Sequence, residues 1–117
     1  LRAAQRLSEF WTEMQRFLAR FDLLLTPTVA VPPFEVGRPG VKEINGRTVS
    51  SLGWMPFCYP FNLTGQPAAT VPVGFTRAGL PVGLQIVGRR HGERVVLAAS
   101  AAFEAAAPWA DRRPPLH

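Results

Sequence analysis

The chain has 117 residues and a mass of 12.8 kDa; 47% of the residues are hydrophobic and 18% are charged. It therefore holds at most one domain, is too apolar for a disordered tail, and has no apolar run near the roughly 20 residues of a membrane span. Thirteen basic against eight acidic residues give a net charge of +5. The cations are scattered, so nucleic-acid binding is a secondary hypothesis.

Two features of the sequence indicate the cellular compartment and the length of the parent protein. Cys58 is the only cysteine, which excludes an intrachain disulfide and a cysteine zinc cluster and predicts a reducing cytoplasm. The sequence starts at Leu1, and residues 1–20 are too charged for a signal peptide, so we expect the chain to be cut from a longer protein. If it closed its own core, size scaling predicts a folded surface of about 6,300 Å².

Residues 1–21 are predicted to form an amphipathic helix. Apolar side chains recur at every third or fourth position, and charged side chains take the opposite side. The apolar stripe carries four aromatic rings, those of Phe10, Trp11, Phe17 and Phe21. We expect the stripe to pack in a core; a face that binds a partner is the alternative.

The next two segments are a strand and a long loop. Residues 22–28 contain Leu23-Leu24-Leu25 and are closed by Pro27, which predicts a strand buried on both faces in a parallel or mixed sheet. Residues 29–56 are rich in proline and glycine and predict a variable loop that walls or covers a site. Within this loop, Asn45-Gly46 predicts the tight turn of a small hairpin.

The rest of the chain predicts a short helix, strands and a last helix. Residues 57–92 hold the short helix, ended by Gly65, and then a β-hairpin. Pro72 predicts an edge position or a bulge in the first strand of that hairpin. An alanine-rich helix is predicted over residues 93–107. The tail over residues 108–117 is charged and broken by proline, so we expect it to be frayed.

No spacing of reactive side chains by itself identifies a catalytic centre. His91 and His117 have no partner at metal-ligand spacing, so no metal site is predicted. Cys58 and His91 would make a nucleophile and base pair, but the aromatic neighbours of Cys58 favour an ordinary buried thiol. A dyad of Lys42 with Ser50-Ser51 lacks a glycine-rich turn that would form an oxyanion hole.

Two adjacent segments carry a long and specific pattern, PFNLTGQPAATVPVG at residues 60–74 and GLPVGLQIVG at residues 79–88. This pattern closely resembles the C-terminal region of the amidase signature family. DLLLTPT at residues 22–28 resembles the strand before the family's variable substrate-side loop, and the likeness extends to about Trp109. The resemblance implies an α/β fold, the C-terminal part of an α/β/α sandwich with a mixed β-sheet. The order would be helix, strand, loop, short helix, strand, hairpin and helix, in a single segment of one domain.

The resemblance also implies an activity, the hydrolysis of carboxylic amides by a serine nucleophile, a second serine in a cis peptide and a lysine base. In the family these three residues precede the matched region, so no catalytic residue is assigned to this chain, and we expect it to be inactive alone. No cofactor is implied. The expected partners are a small amide substrate, the missing N-terminal portion of the same enzyme and a second copy of the chain, with neither nucleic acid nor membrane.

The resemblance assigns substrate contact to Trp54, Met55, Cys58 and Tyr59, because the segment before Asn62 helps to wall the acyl side of the pocket in relatives. Packing in the core is the alternative role for these side chains. Asn62 itself either orients a pocket group or caps its own short helix. A stand-alone binding module that kept the scaffold without the chemistry is the main rival function.

Overall fold

The computed structural model of the protein describes residues 1–113, which form helices, a three-stranded sheet and a two-stranded hairpin. In chain order the elements are α1 (Arg2–Leu18), β1 (Leu23–Pro27), β2 (Glu43–Ile44), β3 (Arg47–Thr48), α2 (Tyr59–Thr64), β4 (Ala68–Phe75), β5 (Pro81–Gly88) and α3 (Glu93–Ala106). The end of the predicted tail, residues 114–117, lies outside the described residues. Among those described, no helix is long and apolar enough to cross a membrane.

The sheet has the order β1-β5-β4, and every pairing among the described strands is antiparallel. Ile86 of β5 lies opposite Leu25 of β1 and opposite Ala69 of β4, so these three side chains share one face. The same face carries the core, where Val71 and Ile86 pack with Val96 of α3. Parallel pairings, which the predicted mixed sheet would include, do not occur among these three strands.

The segment around α2 covers the other face of the sheet, the one away from α3. Val87 on this face is completely buried, and the Gln85 side chain is hydrogen-bonded to the carbonyl of Phe57, just before α2. α2 in turn packs against α1. Helical segments therefore lie on both sides of the sheet.

Turns with positive φ close the hairpins. Asn45 and Gly46 have φ values of 49° and 76° between β2 and β3, the combination that a type I′ turn requires. Gly79, with φ of 80°, lies in the turn between β4 and β5. The register of this second hairpin shifts between Pro72 and Gly74, because proline has no N–H to offer the ladder.

Two expectations about burial are wrong for this chain. Leu25 in β1 is 57% exposed, because β1 is an edge strand of the described sheet and pairs with β5 alone. Within the apolar stripe of α1, Leu18 is fully buried but Trp11 and Phe17 are 37% and 42% exposed. Phe21, which lies beyond the end of α1, is 46% exposed. The stripe stays open because α2, against which α1 packs, has only six residues.

Candidate functional site

The loop between β1 and α2 is closed at its base. The amide of Thr28 donates to the carbonyl of Gly83 at 3.0 Å, which continues the β1 and β5 pairing beyond Pro27. The amide of Ala30 donates to the carbonyl of Trp54 at 2.9 Å. The two ends of the loop are therefore held together beside the sheet.

An open cavity of about 600 Å³ lies between this loop and the sheet. Its lining comes from the loop and from the strand ends, namely residues 29–34, Trp54, Thr28, Thr70, Pro72 and residues 81–83. The volume is within the roughly 300–1,000 Å³ of small-molecule pockets. The described lining residues are apolar apart from two threonines, and none is charged.

Trp54 and Phe34 form the aromatic part of the lining. Their ring centroids are 5.2 Å apart and their planes meet at 87°, an edge-to-face pair. The pyrrole edge of Trp54 packs against Gly40, where an added Cβ would lie 2.7 Å from Nε1. Nε1 is buried and has no hydrogen-bond partner among the described residues, so close packing against glycine holds the indole in place.

Two threonine hydroxyls supply the polar side chains of the lining. Thr28 Oγ1 donates to Thr70 Oγ1 at 3.3 Å. An added Cβ on Gly83 would lie 2.6 Å from Thr28 Oγ1 and 2.9 Å from Thr70 Cγ2, so glycine at this position leaves room for the pair. A hydroxyl can donate and accept at once, so the pair can share one proton and still offer the other to a ligand.

Gln85 fixes the segment before α2 to the sheet. The residue is buried, and its Nε2 donates to Thr26 Oγ1 at 3.0 Å and to the carbonyl of Phe57 at 2.9 Å. Both N–H groups of the amide are thus used. No signal in the sequence distinguished Gln85 from other polar strand residues, because its partners come from two distant segments.

The structure separates the four residues predicted to contact substrate. Trp54 lines the cavity. Met55, Cys58 and Tyr59 follow Trp54 within five residues of sequence but are not among the residues that line the cavity. All four are half-buried. Cys58 Sγ donates to the carbonyl of Thr28 at 3.2 Å, and the Tyr59 hydroxyl donates to a backbone carbonyl of the loop. These bonds hold the segment beside the cavity wall, and its contact with substrate stays a prediction.

The reactive pairs weighed from the sequence are not assembled in the described residues. No hydrogen bond joins Cys58 to His91, which is exposed. Lys42 and Ser50-Ser51 are exposed in the loop, and no hydrogen bond connects the lysine with a serine there. Asn62 is also exposed, and its side chain makes no hydrogen bond to any of the described residues. The Asn62 side chain therefore does not cap α2. The described residues contain no group of three metal-ligating side chains.

One ion pair follows the cavity lining in sequence. Arg38 Nη1 donates to Glu35 Oε2 at 2.8 Å, and both side chains are exposed. The hydrogen bond from Arg38 lowers the pKa of the Glu35 carboxyl and so favours its ionised form. The charge lies in solvent and leaves the cavity lining apolar.

Comparison with known sequences shows that this chain belongs to the Amidase family. The sequence model of the Amidase family matches residues 1–97. The chain is 39% identical over 108 residues to an acylamidase of Rhodococcus erythropolis, covering 91% of this chain and 22% of the relative. It is 38% identical over 105 residues to the 6-aminohexanoate-cyclic-dimer hydrolase of Pseudomonas sp. strain NK87, covering 84% of this chain and 21% of that protein.

Solved structures that resemble this chain come from the same family. A bacterial aryl acylamidase of the amidase signature enzymes superposes with a TM-score of 0.82 at 38% identity, covering 92% of this chain and 24% of that one. A 6-aminohexanoate cyclic dimer hydrolase gives a TM-score of 0.76 at 35% identity, covering 95% and 25%. The predicted α/β fold class is confirmed. The chain matches the C-terminal part of these relatives and spans about a quarter of their length.

Proposed function

The chain belongs to the Amidase family, and from this membership we propose that it is a C-terminal segment of an enzyme that hydrolyses the C–N bond of carboxylic amides. The observation that carries the proposal is the family match over residues 1–97. The cavity of about 600 Å³ between loop and sheet supports it, because it offers a site of the size that a small amide needs.

In this proposal the chain supplies scaffold and pocket wall, and the catalytic groups come from the rest of the enzyme. Amide hydrolysis by a serine needs a base in hydrogen-bond reach and donors for the oxyanion. Lys42 and Ser50-Ser51 are exposed and unconnected among the described residues. The serine, cis-serine and lysine triad would lie in the portion that the relatives have in addition, and the chain alone is expected to be inactive.

The proposed substrate wall includes Trp54, Met55, Cys58 and Tyr59. Trp54 lines the cavity. Cys58 and Tyr59 donate hydrogen bonds to backbone carbonyls at the end of β1 and in the loop. They would therefore fix the position of the substrate wall even where they do not contact the substrate themselves.

We propose the cytoplasm as the setting and the remainder of the same enzyme as the main partner. A free, half-buried cysteine suits a reducing compartment. A second copy of the chain is the proposed partner when that remainder is missing. Nucleic acid and membrane are not proposed as partners, because the basic residues are scattered along the sequence.

A chimera tests the proposal. The segment of the Rhodococcus erythropolis acylamidase that aligns with this chain is replaced by this chain, and amide hydrolysis is measured against the same acylamidase truncated before the segment. We expect the chimera to hydrolyse amides and the truncated protein to be inactive. A chimera that unfolds cooperatively like its parent but hydrolyses no amide would refute the proposal. It would favour the alternative hypothesis, a stand-alone binding module.

A further inference from the structure

Gln85 connects the sheet beside the cavity with the segment that is proposed to wall the substrate, residues 54–59. We propose that Gln85 is a positioning residue, which sets the distance between the sheet and this segment and thereby the length of acyl group that the enzyme accepts. The effect on substrate rests on the proposed function, whereas the positioning rests on hydrogen bonds within this chain. Gln85 is not among the described residues that line the cavity, so it acts through the segment that it holds.

Gln85 lies beside the cavity on the middle strand of the sheet. Its side chain is on the same face of β5 as Gly83, a lining residue two positions earlier. Thr70, directly opposite Gln85 on β4, also lines the cavity. Because β5 is paired on both sides and Gln85 is only 6% exposed, the start of its side chain is held firmly. Gln85 is therefore a fixed anchor next to the cavity.

The two N–H groups of the Gln85 amide have different partners. One donates to Thr26 Oγ1 at 3.0 Å, directly across the β1 and β5 pair, and this bond orients the amide. The other donates to the carbonyl of Phe57 at 2.9 Å. An amide oriented by its first bond directs the second one. The carbonyl of Phe57 is therefore held where the Gln85 side chain reaches it.

The other tertiary hydrogen bonds of this segment reach the loop and the end of β1. The carbonyl of Trp54 accepts from the amide of Ala30 at 2.9 Å. Cys58 Sγ donates to the carbonyl of Thr28 at 3.2 Å. Neither bond joins the segment to the middle strand. Among the described residues, Gln85 supplies the side-chain hydrogen bond that ties residues 54–59 to β5.

Positioning and stability have different effects on the kinetics. A loss of folded protein lowers kcat/KM by the same factor for every substrate. A displaced wall changes the space for the acyl group, so it affects long and short acyl groups unequally. Without the Gln85 bond, the carbonyl of Phe57 is no longer drawn to the sheet and can turn to water, which widens this space. The ratio of kcat/KM for a long and a short acyl group therefore reports the position of the wall.

The test measures kcat/KM for hexananilide and acetanilide in the chimera with the Rhodococcus erythropolis acylamidase. We expect Gln85→Leu to shift the ratio towards hexananilide about fivefold or more. Thr26→Val frees the amide without removing it and should cause a smaller shift in the same direction, which provides a test if Gln85→Leu does not fold.

Gln66→Leu is the matched control. Gln66 is also a buried glutamine, 8% exposed, but its Nε2 has no hydrogen-bond partner among the described residues. Its replacement removes a buried amide of the same size without releasing the wall, so the ratio should stay unchanged. An unchanged ratio in both Gln85→Leu and Thr26→Val, or an equal shift in Gln66→Leu, would overturn the inference.

The 117-residue chain separates this inference from the proposed function. With Trp11→Phe and Trp109→Phe, its fluorescence reports Trp54, which lies in the wall segment. Gln85→Leu should shift this emission and Gln66→Leu should not. A folded chimera without hydrolase activity, together with that response, would refute the proposed function and leave the positioning role standing. An active chimera whose ratio ignores Gln85→Leu would refute the positioning role and leave amide hydrolysis standing.

Discussion

Gln85 is a buried amide whose two N–H groups both have acceptors, Thr26 Oγ1 and the carbonyl of Phe57. Gln85→Leu leaves both acceptors without their donor, and we expect a loss of about 1–3 kcal/mol in the free energy of unfolding. Urea denaturation measures it. Gln5→Leu is the control, because Gln5 donates to Glu9 on the exposed surface of α1, and its effect should stay below about 0.5 kcal/mol. Equal losses would show that the Gln85 bonds stabilise nothing.

Cys58 offers a second prediction for a single residue. Its thiol is half-buried and donates to the carbonyl of Thr28 at 3.2 Å, so the sulfur must leave this acceptor and reach solvent before a reagent attacks it. We expect a disulfide reagent such as DTNB to label the native protein slowly and the urea-unfolded protein fast. Equal rates in the two states would contradict a structural role and reopen the case for an activated cysteine.

The loop between β1 and α2 is the element on which the cavity depends, and Gly40 tests how it holds Trp54. Gly40 and Gly37 both have positive φ, 155° and 89°, but a Cβ on Gly40 would lie 2.7 Å from Trp54 Nε1 whereas a Cβ on Gly37 meets nothing within 4 Å. Both alanine variants carry backbone strain, and only Gly40→Ala should move the indole.

The measurement uses a background of Trp11→Phe and Trp109→Phe, so that fluorescence reports Trp54 alone. We expect Gly40→Ala to shift the Trp54 emission towards that of an exposed indole. Gly37→Ala should leave the emission unchanged. If both variants shift the emission equally, backbone strain and not the contact with Gly40 positions the ring.

Much of the element order is predictable because its signals are local. The Asn45-Gly46 pair marks a turn through the φ values that it allows, and Gly65 ends α2 with φ of 73°. The burial of those elements is not local. Leu23-Leu24-Leu25 has the composition of a strand covered on both faces, but its cover depends on segments that no pattern within the strand specifies.

The lining of the candidate cavity was also only partly predictable from the sequence. Family resemblance pointed to Trp54, which lines it. Thr28, Thr70 and Gly83 were not predicted, because they meet through the register of three strands that are far apart in sequence. Thr28 reaches Gly83 through β1 and β5, and Thr70 arrives through β4 and β5. A shift of one residue in either register would turn these side chains to the other face.

The whole chain is more open than a self-contained domain of this length. Its accessible surface is 8969 Å², against about 6,300 Å² from size scaling. Its radius of gyration is 16.4 Å, against about 13.4 Å for a compact domain. The excess includes apolar side chains on α1 and on the open edge of the sheet. We expect these open apolar surfaces to pack against further protein.

We therefore expect the 117-residue chain to form dimers or larger species, through β1 as an open edge strand and the apolar face of α1. Leu25→Lys places a charge on that edge and should shift the distribution towards monomer. Leu63→Lys is the matched control, because Leu63 is also 57% exposed but lies on α2. Light scattering across a dilution series gives the mass. A stable monomer at high concentration that binds no apolar dye would show that the chain closes its own core, and equal effects of the two lysines would show that charge in general, not the β1 edge, governs association.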